Sequence, residues 1–184
     1  WADYQRLQEA GISIPQTTAR PPVAAPRLPY ILKWTYGFGG RHTFFISDQK
    51  RAATVAARYP AGELLLQEYV PAEFEYKVIT IGYQALPVIL KFALHPKTRR
   101  PDFKRYWVLK ENAAVTALAQ RAAKELGREL AKTDIMEAAG RLYVLEVNRF
   151  PGLHSFEALT GYNVAEKFMD YLLKKGMADN LHNS

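Results

Sequence analysis

Residues 134–152 read DIMEAAGRLYVLEVNRFPG. Two runs suited to strands, 133–137 and 141–148, flank Ala138-Ala139-Gly140, whose glycine supplies the positive φ of a tight hairpin. With the pairing centred near Gly140, Asp134 stands across from Glu146, and Asn148 shares the face of Glu146 because strand side chains repeat every second residue. Two carboxylates and an amide oxygen then converge. Facing like charges repel, so the arrangement implies a cation between them, and an all-oxygen set favours a hard ion, Mg²⁺ or Mn²⁺. A solvated polar strand edge is the plainer alternative. Arg149-Phe150-Pro151-Gly152 ends the second strand in a turn.

Around this hairpin the chain has 184 residues, 48% of them hydrophobic, enough to bury a core as one domain or two small lobes. No apolar run approaches the roughly 20 residues that span a bilayer, and the start at Trp1 lacks a signal-peptide pattern. The absence of cysteine excludes disulfides and thiolate-zinc sites and fits a cytoplasmic location. A net charge of +7 suits polyanionic ligands: nucleotides, phosphates or nucleic acid. Since Trp1 is not an initiator methionine, the expectation is a fragment or processed product of a longer chain.

From the start, residues 3–10 have helical spacing, stopped by Gly11 before a strand-like 12–15 and a proline-rich extended loop over 17–29. Residues 28–33, LPYILK, read as a buried strand, and Gly37, Gly39 and Gly40 form a flexible connection to a second strand at 43–47. Glycines there let backbone N–H groups approach a phosphate, and Lys33 at the strand end supplies a compact positive charge. The connection lacks the GKS or GKT ending of a Walker A loop, and an ordinary hairpin tip would look similar. A helix over 48–59 and a buried strand over 64–70 follow, then two strands at 76–81 and 86–94, with Glu75 and Lys77 on one face. Residues 95–105, HPKTRRPDFKR, read as a mobile basic loop. A helix over 112–131 leads into the hairpin, and Asn163 caps a last helix over 164–175 that Gly176 stops, leaving a polar tail.

Six of these pieces occur in the order of the ATP-grasp ligases, which the chain resembles over nearly its whole length: GISIPQT, ILK before GFGG, LLQEYV, EYKVITIG, AKTDI with LYVLEVNRFPG, and TGYNVAEKFMDYL. The resemblance is nearest to glutamate ligases that modify ribosomal proteins, with glutathione synthetases and D-alanine:D-alanine ligases further off. It implies an α+β fold in which two lobes with antiparallel sheets, 1–66 and 67–178, grip ATP between them, followed by a tail at 179–184. It implies further an ADP-forming carboxylate-amine ligase that works through an acyl phosphate, with a small carboxylate and an amine or peptide as substrates. By position, Lys33 falls on the lysine of the α- and β-phosphates and Gly37, Gly39 and Gly40 on the flap over the phosphates. Gln67, Glu68, Tyr69 and Val70 fall on the adenine linker, Glu75 on the ribose-binding acid and Lys77 on the basic residue that follows it. Asp134, Glu146 and Asn148 fall on the metal ligands, in agreement with the hairpin reading. Lys132 matches an arginine that stabilises the tetrahedral intermediate in the D-alanine ligases, and Lys104 or Arg105 is placed to reach the γ-phosphate.

The resemblance departs after the basic stretch, where DFKRYWVLKEN replaces an Arg-Ser-Asn pattern with paired glycines, leaving the substrates open. A second phosphate-binding lysine and the preceding substrate domain of these ligases would both lie ahead of Trp1. Three other readings compete. One is an ATP-binding module without catalysis. Another is the carboxylase and purine-biosynthesis branch, whose Lys-Gly loop ending is replaced by Arg41-His42. Nucleic-acid binding comes last, since no aromatic platform or recognition helix accompanies the basic residues.

Overall fold

The structure, a computed structural model, describes residues 1–19, 27–37, 42–60, 62–95, 99–149 and 151–182. The chain forms two compact units, residues 1–9 with 13–71 and residues 10–12 with 72–184. The division therefore falls after Pro71, beyond the expected 66/67 boundary. The reason is that Gln67 and Glu68 complete a strand of the first unit. Residues 10–12 go with the second unit, where an Arg121 guanidinium N–H donates to the Ala10 carbonyl.

The first unit contains α1 (Ala2–Glu9), β1 (Thr17–Thr18), β2 (Tyr30–Trp34), β3 (Thr43–Ile46), α2 (Gln49–Ala56) and β4 (Leu64–Glu68). Its antiparallel sheet has the order β1-β4-β2-β3. Tyr30, Leu32 and Trp34 alternate onto one face, where they meet Ile46, Leu64 and, from α2, Ala52 and Val55. Lys33 and Ile31 therefore point to the opposite face. Asp48 fixes the start of α2 by accepting from the Arg51 N–H at 2.8 Å. The strand expected over 12–15 is absent and pairing begins at Thr17, because Pro15 has no N–H to give a ladder.

The second unit contains β5 (Phe74–Ile81), β6 (Gln84–Leu94), β7 (Pro101–Leu109), α3 (Ala113–Glu125), β8 (Leu130–Ala138), β9 (Arg141–Asn148), α4 (Leu153–Thr160) and α5 (Val164–His182). The sheet order is β7-β6-β5-β8-β9, antiparallel throughout. Helix α3 packs across β5, β8 and β9, and its buried side is Val115, Ala119, Ala122 and Ala123, small residues that let the helix approach closely. On the other face, Ile79, Ile81, Leu90 and Phe92 form a core with Phe156 of α4 and Val164 of α5. Glu75 and Lys77 share the face of Ile79 by the strand period, so one face is apolar at one end and charged at the other.

Three expectations are corrected here. The basic stretch 95–105 is not one loop: Pro101–Leu109 is the edge strand β7, where aromatic and branched residues favour extended chain and a leading proline forfeits no ladder bond. Its residues 96–98, including Lys97, lie outside the described residues. Helix α3 ends before residue 131, since Gly127 (φ 63°) reverses the chain and the Arg128 N–H returns to the Ala123 carbonyl at 2.9 Å. Helix α5 runs past Gly176 to His182, because a glycine ends a helix only by turning left-handed and Gly176 has no positive φ.

Candidate functional site

Ala139 (φ 48°) and Gly140 (φ 73°) form a two-residue turn between β8 and β9, pairing Ala138 with Arg141. Carried on unchanged, that register would place Asp134 opposite Leu145. A β-bulge at Leu145 shifts it by one residue, so Asp134 pairs with Glu146 and Lys132 with Asn148. The expected facing of Asp134 and Glu146 is therefore observed, and Glu146 accepts from the Asn148 amide at 2.9 Å.

On the other side of β8, Asp134 pairs with Lys77 of β5. The Lys77 ammonium donates to Glu75 Oε1 at 2.6 Å and to Asp134 Oδ2 at 3.0 Å, with the Phe92 ring 6.0 Å away. All three charged side chains are largely buried, 9–16% exposed. Burial pushes the Glu75 carboxyl above its ordinary range, Lys77 opposes this, and Asp134 adds to it. Burial pulls the Lys77 ammonium downward, but Asp134 and Glu75 outweigh it and hold the lysine charged well above its ordinary value. Two carboxylates thus share one ammonium. Among the described residues Asp134 Oδ1 is buried with no hydrogen-bond donor, although a carboxylate oxygen removed from water needs one.

That orphaned oxygen, with Glu146 on the neighbouring strand and Asn148 two residues on, is an all-oxygen set suited to a hard divalent ion. Among the described residues no three His, Cys, Asp or Glu side chains cluster as metal ligands, and the candidate set is two acids and one amide. Lys132 projects from β8 opposite Asn148, on the strand face of Asp134. Lys104 is exposed on β7, while Arg105 turns to Asp102 at 3.0 Å and to the Leu94 carbonyl at 3.3 Å.

In the first unit, Lys33 is half-buried and its ammonium donates to the Tyr4 hydroxyl at 3.0 Å. Gly37 closes a turn onto the Trp34 carbonyl at 2.9 Å, and a Cβ there would lie 2.9 Å from that carbonyl and from His42 Cβ. Gly39 and Gly40 lie outside the described residues. The Gln67 side chain is buried and donates to Thr17 Oγ1 at 2.8 Å, so only its backbone is available to a ligand. Beyond Glu68 the chain leaves the ladder, Tyr69 stacking edge-on against Phe45 and Val70 becoming buried. Two contributors were missed by the sequence reading: Tyr4, which steadies Lys33, and Arg128, which donates to the Val147 carbonyl beside Asn148. Neither carries a sequence signal, since each acts from another element.

The RimK-like ATP-grasp domain matches residues 14–172. The chain belongs to this family. Among relatives of this RimK-like domain, a probable alpha-L-glutamate ligase of Serratia proteamaculans is 28% identical over 155 residues, 80% of this chain and 51% of the relative. A second, from Shewanella frigidimarina, is 28% identical over 185 residues, 92% of this chain and 61% of the relative. The domain thus spans half to three fifths of these relatives' length. The ATP-grasp ligase PsnB, solved with a precursor peptide and AMPPNP, shares its fold with a TM-score of 0.72 at 22% identity, covering 93% of this chain and 55% of PsnB. The D-alanine–D-alanine ligase of Bacillus anthracis gives a TM-score of 0.71 at 17% identity, covering 99% of this chain and 68% of that one. The fold is that of the ATP-grasp group, α+β with two antiparallel sheets.

Proposed function

We propose that this RimK-like domain is the Mg²⁺-ATP-binding part of an ADP-forming ligase that joins a carboxylate to an amine through an acyl phosphate. The observation that carries the reading is the buried Asp134 carboxylate, one oxygen orphaned, facing Glu146 across β8 and β9 in a chain of this family. Asp134, Glu146 and Asn148 would hold the divalent ion, Mg²⁺ with Mn²⁺ as a chemically equivalent substitute. When bound, that ion neutralises phosphate charge as the phosphoryl group is transferred. Lys33 contributes a compact charge to the nucleotide phosphates, and Gly37 keeps the backbone beside them free of side-chain bulk. The backbone of residues 67–70 is assigned to the adenine edge, with the Glu68 carbonyl as acceptor and the Val70 N–H as donor. Glu75 is assigned to the ribose hydroxyls and Lys77 to the phosphate end of the site. Lys132, which shares the strand face of Asp134, is assigned to oxyanion stabilisation. Lys104 is the better placed of the two β7 cations for the γ-phosphate, because Arg105 is tied to Asp102.

The carboxylate is assigned as an amino acid and the amine as an amino acid or peptide, in keeping with the named activities of the relatives. The test is calorimetry of ATP binding with and without Mg²⁺ on this chain, alongside ADP release by the full-length protein over a panel of amino acids and peptides. Glu146→Ala is expected to abolish the Mg²⁺-dependent increment of binding and the turnover while leaving the melting temperature within a few degrees. Parent and variant with the same metal dependence would overturn the metal assignment. Binding without ADP release from any pair of substrates would favour a non-catalytic ATP module.

A further inference from the structure

We infer that Lys77 is a built-in counter-cation that competes with the divalent ion for Asp134, so that the chain resists metal until an anionic ligand offers the ammonium another partner. The inference rests on the metal assignment proposed above. Its ground is the order of partners across three strands: Lys77 on β5 pairs with Asp134 on β8, which pairs with Glu146 on β9. Asp134 stands between a cation on one side and a carboxylate on the other. Its Oδ2 receives the Lys77 ammonium at 3.0 Å while its Oδ1 receives no donor among the described residues. A metal that uses the free oxygen would sit beside an ammonium held on the same carboxylate by a second contact, Glu75 at 2.6 Å.

Two like charges sharing one buried carboxylate weaken each other's binding, and neighbouring charges within about 4–6 Å move equilibria of this kind by roughly one to three decades. The same lysine holds the carboxylates together when no metal is present, since two buried acids without a cation would repel. A polyphosphate supplies the ammonium with a different anion, so nucleotide and metal each strengthen the other's binding by the reciprocity of linkage.

The experiment uses this chain and Lys77→Met, which keeps the length of the stem and removes the charge. Mg²⁺ alone is titrated by calorimetry without nucleotide, and melting is followed in EDTA and in Mg²⁺. The variant is expected to melt below the parent in EDTA, to bind Mg²⁺ roughly tenfold more tightly, and to recover most of the lost melting temperature when Mg²⁺ is added. Equal or weaker Mg²⁺ binding by a folded Lys77→Met overturns the inference while leaving the metal site standing. Failure of both proteins to bind Mg²⁺ overturns the metal assignment and the inference with it. Should Lys77→Met not fold, the ¹⁵N signal of the Lys77 ammonium in the parent, assigned with Lys77→Arg, decides. A shift on Mg²⁺ addition supports release from Asp134, and an unmoved signal at saturating Mg²⁺ overturns it.

Discussion

Replacing Lys33 by methionine separates phosphate recognition from base recognition. The ammonium of Lys33 carries three donors, and the Tyr4 hydroxyl takes one of them at 3.0 Å, leaving two for phosphate oxygens without breaking an existing bond. Methionine keeps the half-buried stem on its sheet face beside Thr43 and Leu65, so only the charge and its donors are lost. Tyr4 is partly exposed and can turn to water, which keeps the stability loss within about 1 kcal/mol. One charge-assisted contact is worth about 1.5–3 kcal/mol, which at about 1.4 kcal/mol per decade is roughly a ten- to hundredfold loss of ATP affinity. Calorimetry in Mg²⁺ with ATP, ADP and adenosine reads the effect, and adenosine is expected to lose less than about twofold, because a contact to phosphate is absent from it. Equal losses for ATP and adenosine would show that Lys33 does not act on phosphate.

Gly82→Ala places a Cβ 2.6 Å from the Tyr171 ring at a residue with φ 57°. Left-handed strain and overpacking together are expected to cost about 2 kcal/mol or more, lowering the urea midpoint of unfolding and speeding amide exchange along α5; a variant matching the parent in both would sink the idea. Glu129 accepts from the Lys175 ammonium and the Tyr171 hydroxyl, and these two hydrogen bonds, the lysine's first, hold its carboxyl below the ordinary value of 4.5. Because the folded-state value is depressed, the contribution is present above that ordinary value and disappears as pH falls through the depressed one. Thermal melts down through the carboxylate range should therefore show parent and Glu129→Gln converging in acid; a constant gap would place the stabilisation elsewhere.

The facing of Asp134 and Glu146 was legible in the sequence, though by a simpler route than the chain takes. A hairpin centred on Gly140 gives the same partners as a turn centred between Ala139 and Gly140 followed by a bulge at Leu145. The cap at Asn163 was legible because its side chain accepts from an N–H three residues on, a purely local bond; Asp48 and Asn112, read as the first residues of their helices, cap them in the same way. Strand β7 was not, because the charges of DFKRYW suggested solvent while pairing with β6 fixed the backbone. The Lys77 bridge escaped the reading for the same reason: local pattern put Glu75 and Lys77 on one face, and only the pairing of β5 with β8 delivers Asp134 to them. Gly176 misled because its role depends on φ, which tertiary context sets.

The bulge at Leu145 gives the hairpin a parity. An odd number of residues separates Asp134 from Glu146, whereas a plain two-residue turn matches partners with an even number between them. Smoothing the bulge with the turn and the residue count retained would pair Glu146 with Thr133, on the opposite face of the sheet, and bring Leu145 across from Asp134. Deleting Leu145 with the turn retained therefore keeps the two acids opposite each other, whereas a single insertion or deletion that leaves both the turn and the bulge in place moves them to opposite faces. Along this hairpin, residue count sets the face that Glu146 takes, as residue identity sets its chemistry.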